Sequence, residues 1–184
     1  MRIVVLADYD DRRWRHSGAS ADLLLACGDL EMSMVEEAAA YFGCRRAFAV
    51  KGNNDGGDVF PASVTDLHLR VETFEGVRIG GFQGALSPIP RWRSEVLFSE
   101  EEAAQALAGF PAVDIFIAHN SPAGVHEVRH RGFQALHRYV LETSPRLFLH
   151  GHQHASLESS LGATEVIGVY GWRLIDWPRQ KIEG

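Results

Sequence analysis

Cysteine is scarce. Cys27 and Cys44 are the only two in 184 residues and have no paired zinc-ribbon spacing, so neither a disulfide framework nor a cysteine-rich zinc module holds this chain together, and both read as reduced thiols. Long hydrophobic runs are missing as well. The run that opens the chain, Ile3 to Ala7, is too short for the apolar segment of a signal peptide, and no run approaches membrane-spanning length, so the expectation is a cytoplasmic protein with no membrane partner. Positive charge is not in excess: 18 Lys and Arg stand against 24 Asp and Glu, a formal net charge of -6, which argues against stable nucleic-acid binding. No internal repeat, linker or single-residue tract interrupts the sequence. With 46% apolar and 23% charged residues, it is expected to fold as one globular domain over residues 1–184.

Within that frame, the apolar residues are grouped in a way that predicts buried strands. Ile3-Val4-Val5-Leu6-Ala7 and Leu23-Leu24-Leu25-Ala26-Cys27 are continuous aliphatic runs, the pattern of strands covered on both faces. Between Glu31 and Phe42 the apolar residues Met34, Val35, Ala38, Ala39 and Phe42 share one side of a helix that Gly43 closes, and Ala47 to Val50 gives a third strand. Strand, strand, helix, strand in the first fifty residues is the order of an α/β sheet whose strand ends share an edge. Further on, Asp66 to Phe82 reads as an antiparallel meander turning at Gly76, followed by a loop broken by Pro88 and Pro90. A helix opens at Ser99 with the capping-box spacing to Glu102 and runs to about Leu107. Val113 to Ala118 is a strand, Phe133 to Leu141 a helix, Leu147 to Leu149 a short strand, and Thr164 to Asp176 two more strands.

The polar residues that carry chemistry all follow a predicted strand. Asp8 and Asp10 come after the first, Gly28-Asp29 after the second, Gly52-Asn53-Asn54-Asp55 after the third, His119-Asn120 after the fourth buried strand, and Gly151-His152-Gln153-His154 after the short one. Each has an ordinary structural use when taken singly: an Asp after a strand caps a helix, and an Asn-Gly-rich string turns the chain. Taken together they gather three carboxylates, an amide and three imidazoles at one edge, and divalent metal ions are the simplest partner that neutralises such a set. His150 is expected to point away from that edge because neighbouring side chains on a strand alternate. His126, His130 and His137 fall in or near a helical, partly basic stretch and read as surface or supporting residues.

These blocks, in this order and spacing from Asp8 to His154, resemble the calcineurin-like metallophosphoesterases, whose motifs are Asp-x-His, Gly-Asp, Gly-Asn-His-Asp or Glu, a lone His, and Gly-His-x-His. The resemblance implies a four-layer α/β/β/α sandwich of two mixed sheets flanked by helices. It also implies two divalent cations, one held by Asp8, Asp10, Asp29 and His154 and the other by Asp29, Asn53, His119 and His152, with Asp29 bridging and a shared hydroxide attacking a phosphate ester. Two positions depart from the family pattern. Asp10 stands where a His is usual and makes that site harder, favouring manganese or iron over zinc. Asn54 stands where many members carry the His that protonates the leaving group; an amide offers only a hydrogen bond there, which points to a phosphodiesterase acting on good leaving groups. The expected partner is a small-molecule or nucleotide phosphate ester. The rival expectation is a non-catalytic scaffold or binding protein that keeps the fold. Arg12 to His16, with Trp14, and Arg91-Trp92-Arg93 are two basic and aromatic clusters that either hold an anionic substrate, with a base stacked on tryptophan, or are solvated loops.

Overall fold

The computed structural model describes residues 1–9, 11–89 and 94–178. The elements run in chain order β1 (Arg2–Ala7), β2 (Leu23–Ala26), α1 (Met32–Phe42), β3 (Arg46–Ala49), β4 (Val64–Asp66), β5 (Val71–Phe74), β6 (Val77–Phe82), β7 (Ala85–Leu86), β8 (Leu97–Phe98), α2 (Glu100–Leu107), β9 (Ile115–Ala118), α3 (Gln134–Thr143), β10 (Leu147–His150), β11 (Leu157–Leu161), β12 (Thr164–Gly168) and β13 (Gly171–Asp176). Two mixed sheets carry the fold, one ordered β13-β1-β2-β3-β4 and the other β11-β12-β10-β9-β6-β5. The inner strands of each are parallel, and the antiparallel pairs are confined to β13, β11 and β5.

The continuous apolar runs follow from this layering. In β1, Ile3, Val5 and Ala7 face the second sheet and share a core with Leu23, Leu25, Ile115, Ile117, Leu147 and Leu149. The alternate residues Val4 and Leu6 face outward onto α1, where Met34, Val35, Ala38 and Phe42 cover them. On the far side, Phe82, Phe116 and Phe148 of the second sheet meet Ala103 and Leu107 of α2 and Leu136, Tyr139 and Val140 of α3. The result is the expected helix, sheet, sheet, helix sandwich, with both faces of each central strand withdrawn from water. Gly43 ends α1 in the left-handed conformation at φ 71°, and the capping box of α2 is formed in both directions between Ser99 and Glu102.

One expected element is corrected. The segment from Asp66 to Phe82 is not a single meander: only β5 and β6 form an antiparallel hairpin, and they belong to the second sheet. Val64–Asp66 instead extends the first sheet in parallel beside β3. Leu67 still bonds to Ala49 of the first sheet while Leu69 bonds to Gly81 of the second, so this stretch is the crossover between sheets. Apolar alternation identifies a strand but does not say which sheet receives it. Among the described residues no helix is long and apolar enough to cross a membrane.

Candidate metal centre

The parallel strands β1, β2 and β3 of one sheet and β9 and β10 of the other end on the same side, so the loops after them converge. Ligand atoms of Asp8, Asp29 and His119 all lie within 4.8 Å of one another. Asn53 and His154 join them: His119 Nε2 is 3.0 Å from Asn53 Oδ1 and 3.5 Å from Asp29 Oδ2, and His154 Nε2 is 3.7 Å from Asp8 Oδ1. The His152 ring packs against the His119 ring with centroids 4.8 Å apart. Six of the seven expected ligands are thus brought together; Asp10 lies outside the described residues, as do Arg91, Trp92 and Arg93.

The backbone is bent to make this possible. Eight described non-glycine residues have positive φ, and four of them are Asp8, Asp29, His152 and His154, at 51°, 54°, 66° and 49°. Left-handed geometry at these side chains costs conformational energy, and its concentration here is the mark of a functional cluster. Two block glycines are required by close approach: a Cβ on Gly52 would lie 2.0 Å from Asp29 Oδ1, and one on Gly151 would lie 2.5 Å from Asp8 Oδ2.

Hydrogen bonds then orient each donor atom. The Nδ1–H of His119 donates to the Cys27 carbonyl at 2.8 Å, which presents Nε2 to the Asn53 and Asp29 oxygens, as a proton donor when the ring is charged and as a metal ligand when it is neutral. Asn54 gives Asp29 both its backbone N–H, at 2.8 Å to Oδ1, and its side-chain amide, at 2.6 Å to Oδ2. Asp8 Oδ2 accepts the His152 backbone N–H at 2.6 Å, while Asp8 Oδ1 is buried with no hydrogen-bond partner among the described residues. Burial lifts the Asp8 carboxyl to about 6 in spite of the nearby His119. Burial pushes Asp29 the same way, but its contacts with His119 and Asn54 outweigh it and hold that carboxyl down to about 2. For His119, burial disfavours the charge but Asp29 and Asp8 hold the imidazole above its usual value. Burial keeps His152 neutral, pushed down to about 2. Converging lone pairs at an orphaned buried carboxylate and a histidine whose other nitrogen is fixed by a carbonyl are the chemistry of a divalent-metal site, and these residues fit one.

Residues 1–169 match the family model for the calcineurin-like phosphoesterase superfamily domain. The chain belongs to that superfamily. No curated protein matches the sequence. Among solved structures, the superfamily chain is similar to TT1561 of Thermus thermophilus, with 15% identity, a TM-score of 0.60, and coverage of 92% of this chain and 89% of that one. It is equally similar to the phosphopantetheinyl hydrolase PptH of Mycobacterium tuberculosis, at 10% identity, a TM-score of 0.60 and the same coverages of 92% and 89%. Vacuolar Protein Sorting 29 of Cryptosporidium parvum matches at 12% identity with a TM-score of 0.51, over 91% of this chain and 72% of that one. At these identities the likeness is one of fold.

Several supporting residues of this phosphoesterase-superfamily site have contacts that the sequence does not specify. Asp55 is buried, and its Oδ2 accepts the backbone N–H groups of both Asp29 and Gly52 at 2.7 Å, tying the second block to the third. The His130 ring lies tilted against the His152 ring with centroids 4.2 Å apart, so it borders the site directly. Gln153, between the two block histidines, is 1% exposed and anchors the loop that carries His130. His150 behaves as expected: it is buried, its Nδ1–H donates to Gly151 O at 2.9 Å, and its Nε2 accepts from His126 Nδ1 at 3.0 Å. The loop after β1 does not offer a stacking platform, because Trp14 is 0% exposed and packs against Tyr41 and Phe42. Its arginines are taken by acids: Arg12 pairs with Glu31 and Glu37, Arg15 with Glu37, and Arg13 with Asp11.

Proposed function

We propose that this chain is a metal-dependent phosphoesterase that cleaves phosphodiesters in preference to monoesters at a dinuclear site. Asp8, Asp29 and His154, joined by Asp10, serve one cation, and Asp29, Asn53, His119 and His152 the other. What carries this reading is the convergence of possible ligand atoms: His119 Nε2, the Asn53 and Asp29 oxygens and Asp8 Oδ1 gather where a cation would neutralise the two carboxylates. Hard carboxylate and amide oxygens mixed with imidazole suit manganese or iron, and zinc is tolerated. When bound, such cations supply an activated water and neutralise charge on the phosphate.

The chain's own groups set the geometry for that chemistry. Asn54 fixes both oxygens of Asp29, Asp55 holds the backbone beneath it, and Cys27 O selects the His119 tautomer. Burial keeps His152 neutral, with a lone pair free to coordinate at any ordinary pH. Asn54 has no proton to give a leaving oxygen, so departure depends on the stability of the leaving group, and aryl esters are the favoured class. The reading takes residues 1–184 as one domain and the protein as cytoplasmic.

A second reading, a binding protein that keeps the fold, draws on Asn54 and on the likeness to a vacuolar protein sorting protein. Elemental analysis of protein purified without added metal, combined with hydrolysis of bis(p-nitrophenyl) phosphate with and without manganese, separates the two. Close to two ions per chain and manganese-stimulated turnover are expected. Bound metal with no turnover of any aryl diester favours the binding protein, and absence of both metal and turnover removes the metal site itself.

A further inference from the structure

A cavity of about 580 Å³ opens beside Asn53, Asn54 and His152, a volume within the range of small-molecule sites. Leu86, Pro88 and Leu97 are apolar residues of its lining, which also includes Arg129, His130 and Arg131. From sequence alone the histidines in and near this basic stretch read as surface or supporting residues; its place on the cavity gives the stretch a further possible use.

The loop that carries it is held by buried polar side chains from the metal blocks. Gln153 Oε1 accepts three successive backbone N–H groups, from Val128, Arg129 and His130, at 3.0, 2.9 and 3.1 Å. Its Nε2 donates to His130 O at 2.8 Å and to Ser121 Oγ at 3.3 Å. Asn120, next to His119 and fully buried, donates to Arg131 O at 3.0 Å, and Glu127 accepts the Gly132 N–H at 2.7 Å. The backbone is therefore turned toward Gln153. Arg129 and Arg131 line the cavity, and neither has an acidic partner among the described residues. Two unneutralised guanidinium groups on a preformed wall, beside a centre that attracts phosphate, are suited to an anion, and Arg pairs bind phosphate oxygens in forked geometry.

Resting on the phosphoesterase reading, we infer that Arg129 and Arg131 hold a second phosphate of the substrate, distinct from the scissile one, with the organic part lying along Leu86, Pro88 and Leu97. Gln153 is the positioning residue that sets this loop. The preferred substrates are thus phosphate esters whose alcohol portion is itself phosphorylated.

The test compares the p-nitrophenyl ester of thymidine monophosphate with its analogue bearing an additional phosphate on the other hydroxyl of the deoxyribose. Leaving group and scissile bond are the same in both. The doubly phosphorylated ester is expected to show a kcat/KM at least about tenfold higher, mainly through KM. That ratio should fall toward unity in the Arg129→Ala/Arg131→Ala variant and in Gln153→Leu. A role confined to folding would depress both esters and leave the ratio intact, and a ratio near unity in the native protein overturns the inference. Calorimetric titration of metal-free full-length protein with thymidine monophosphate and thymidine bisphosphate provides a reading independent of turnover. If neither ester is cleaved with manganese, iron or zinc, the phosphoesterase reading fails. Tighter, arginine-dependent binding of the bisphosphate would then uphold the anion site, and equal binding of the two nucleotides would overturn it.

Discussion

Two arginine-bearing loops differ in one respect that decides what each can do. The loop after β1 carries Arg12, Arg13 and Arg15 around Trp14, and each of these cations meets an acid, two of them on helix α1 and its approach. The loop before α3 carries Arg129 and Arg131 on the wall of a cavity, with no acidic partner among the described residues. Composition makes the two look alike; pairing separates them. The first is a lid on the outer core, and the second is a surface with charge left over for a ligand.

Breaking the first loop should cost stability. Trp14 is fully buried against Tyr41 and Phe42, so Trp14→Ala is expected to destabilise the protein by about 3–5 kcal/mol in denaturant melts. Its indole nitrogen is buried without a partner among the described residues, so Trp14→Phe should recover most of that loss. Loss of selective activity per folded molecule, with stability unchanged, would place Trp14 in the substrate site instead.

The same contrast divides two carboxylates of the segment. Asp11 is half-buried and held below its usual range by the Tyr9 hydroxyl and by Arg13, whereas burial raises Asp8 to about 6 from an ordinary 3.8. A carboxyl whose folded value is raised favours the fold while protonated, and that contribution disappears as pH climbs from about 4 through 6. Ionised Asp8 therefore burdens the metal-free protein at neutral pH, by roughly 3 kcal/mol for a shift of about two units. Metal-free Asp8→Asn should be more stable than the native protein at pH 7, and the two should converge below pH 4 in chelator-treated melts. Buried His150 and His152, pushed down to about 3 and about 2, act in the opposite direction, weakening the fold as pH falls below 6.5, but they are common to both proteins and cancel. Asp11→Asn should bring no such gain. The smallest effect belongs to Arg12→Ala: its ion pairs are surface contacts, so a marginal change in melting temperature and an unaltered preference between the two thymidine esters are expected.

Much of this was legible in the sequence because the inner strands are covered on both faces. Runs such as Ile3 to Ala7 and Leu23 to Cys27 stand out for that reason, and a ligand just beyond such a run is placed at a strand end by chain connectivity alone. Asp8, Asp29, Asn53, His119, His152 and His154 are all located in this way. What escaped was set by partners distant in sequence. Gln153 works by accepting backbone N–H groups, which every residue but proline offers, so no motif announces it, and Asp55 fills the last position of the third motif without that motif saying which N–H groups it accepts. Trp14 is buried because α1 folds over it, and the paired state of Arg12 depends on Glu31 and Glu37 arriving from that helix and its approach. Leu157–Leu161 has a mostly exposed edge-strand pattern, and β7 and β8 are two residues each, too short to leave a periodicity.

The central claim, a dinuclear site bridged by Asp29, meets its most direct test in Asp29→Ala, with metal content measured by elemental analysis alongside bis(p-nitrophenyl) phosphate hydrolysis. If one carboxylate serves both cations, as proposed, the variant should lose metal from both positions and lose turnover with it, while circular dichroism reports an intact fold. A folded variant that kept two bound metal ions and normal turnover would contradict the account.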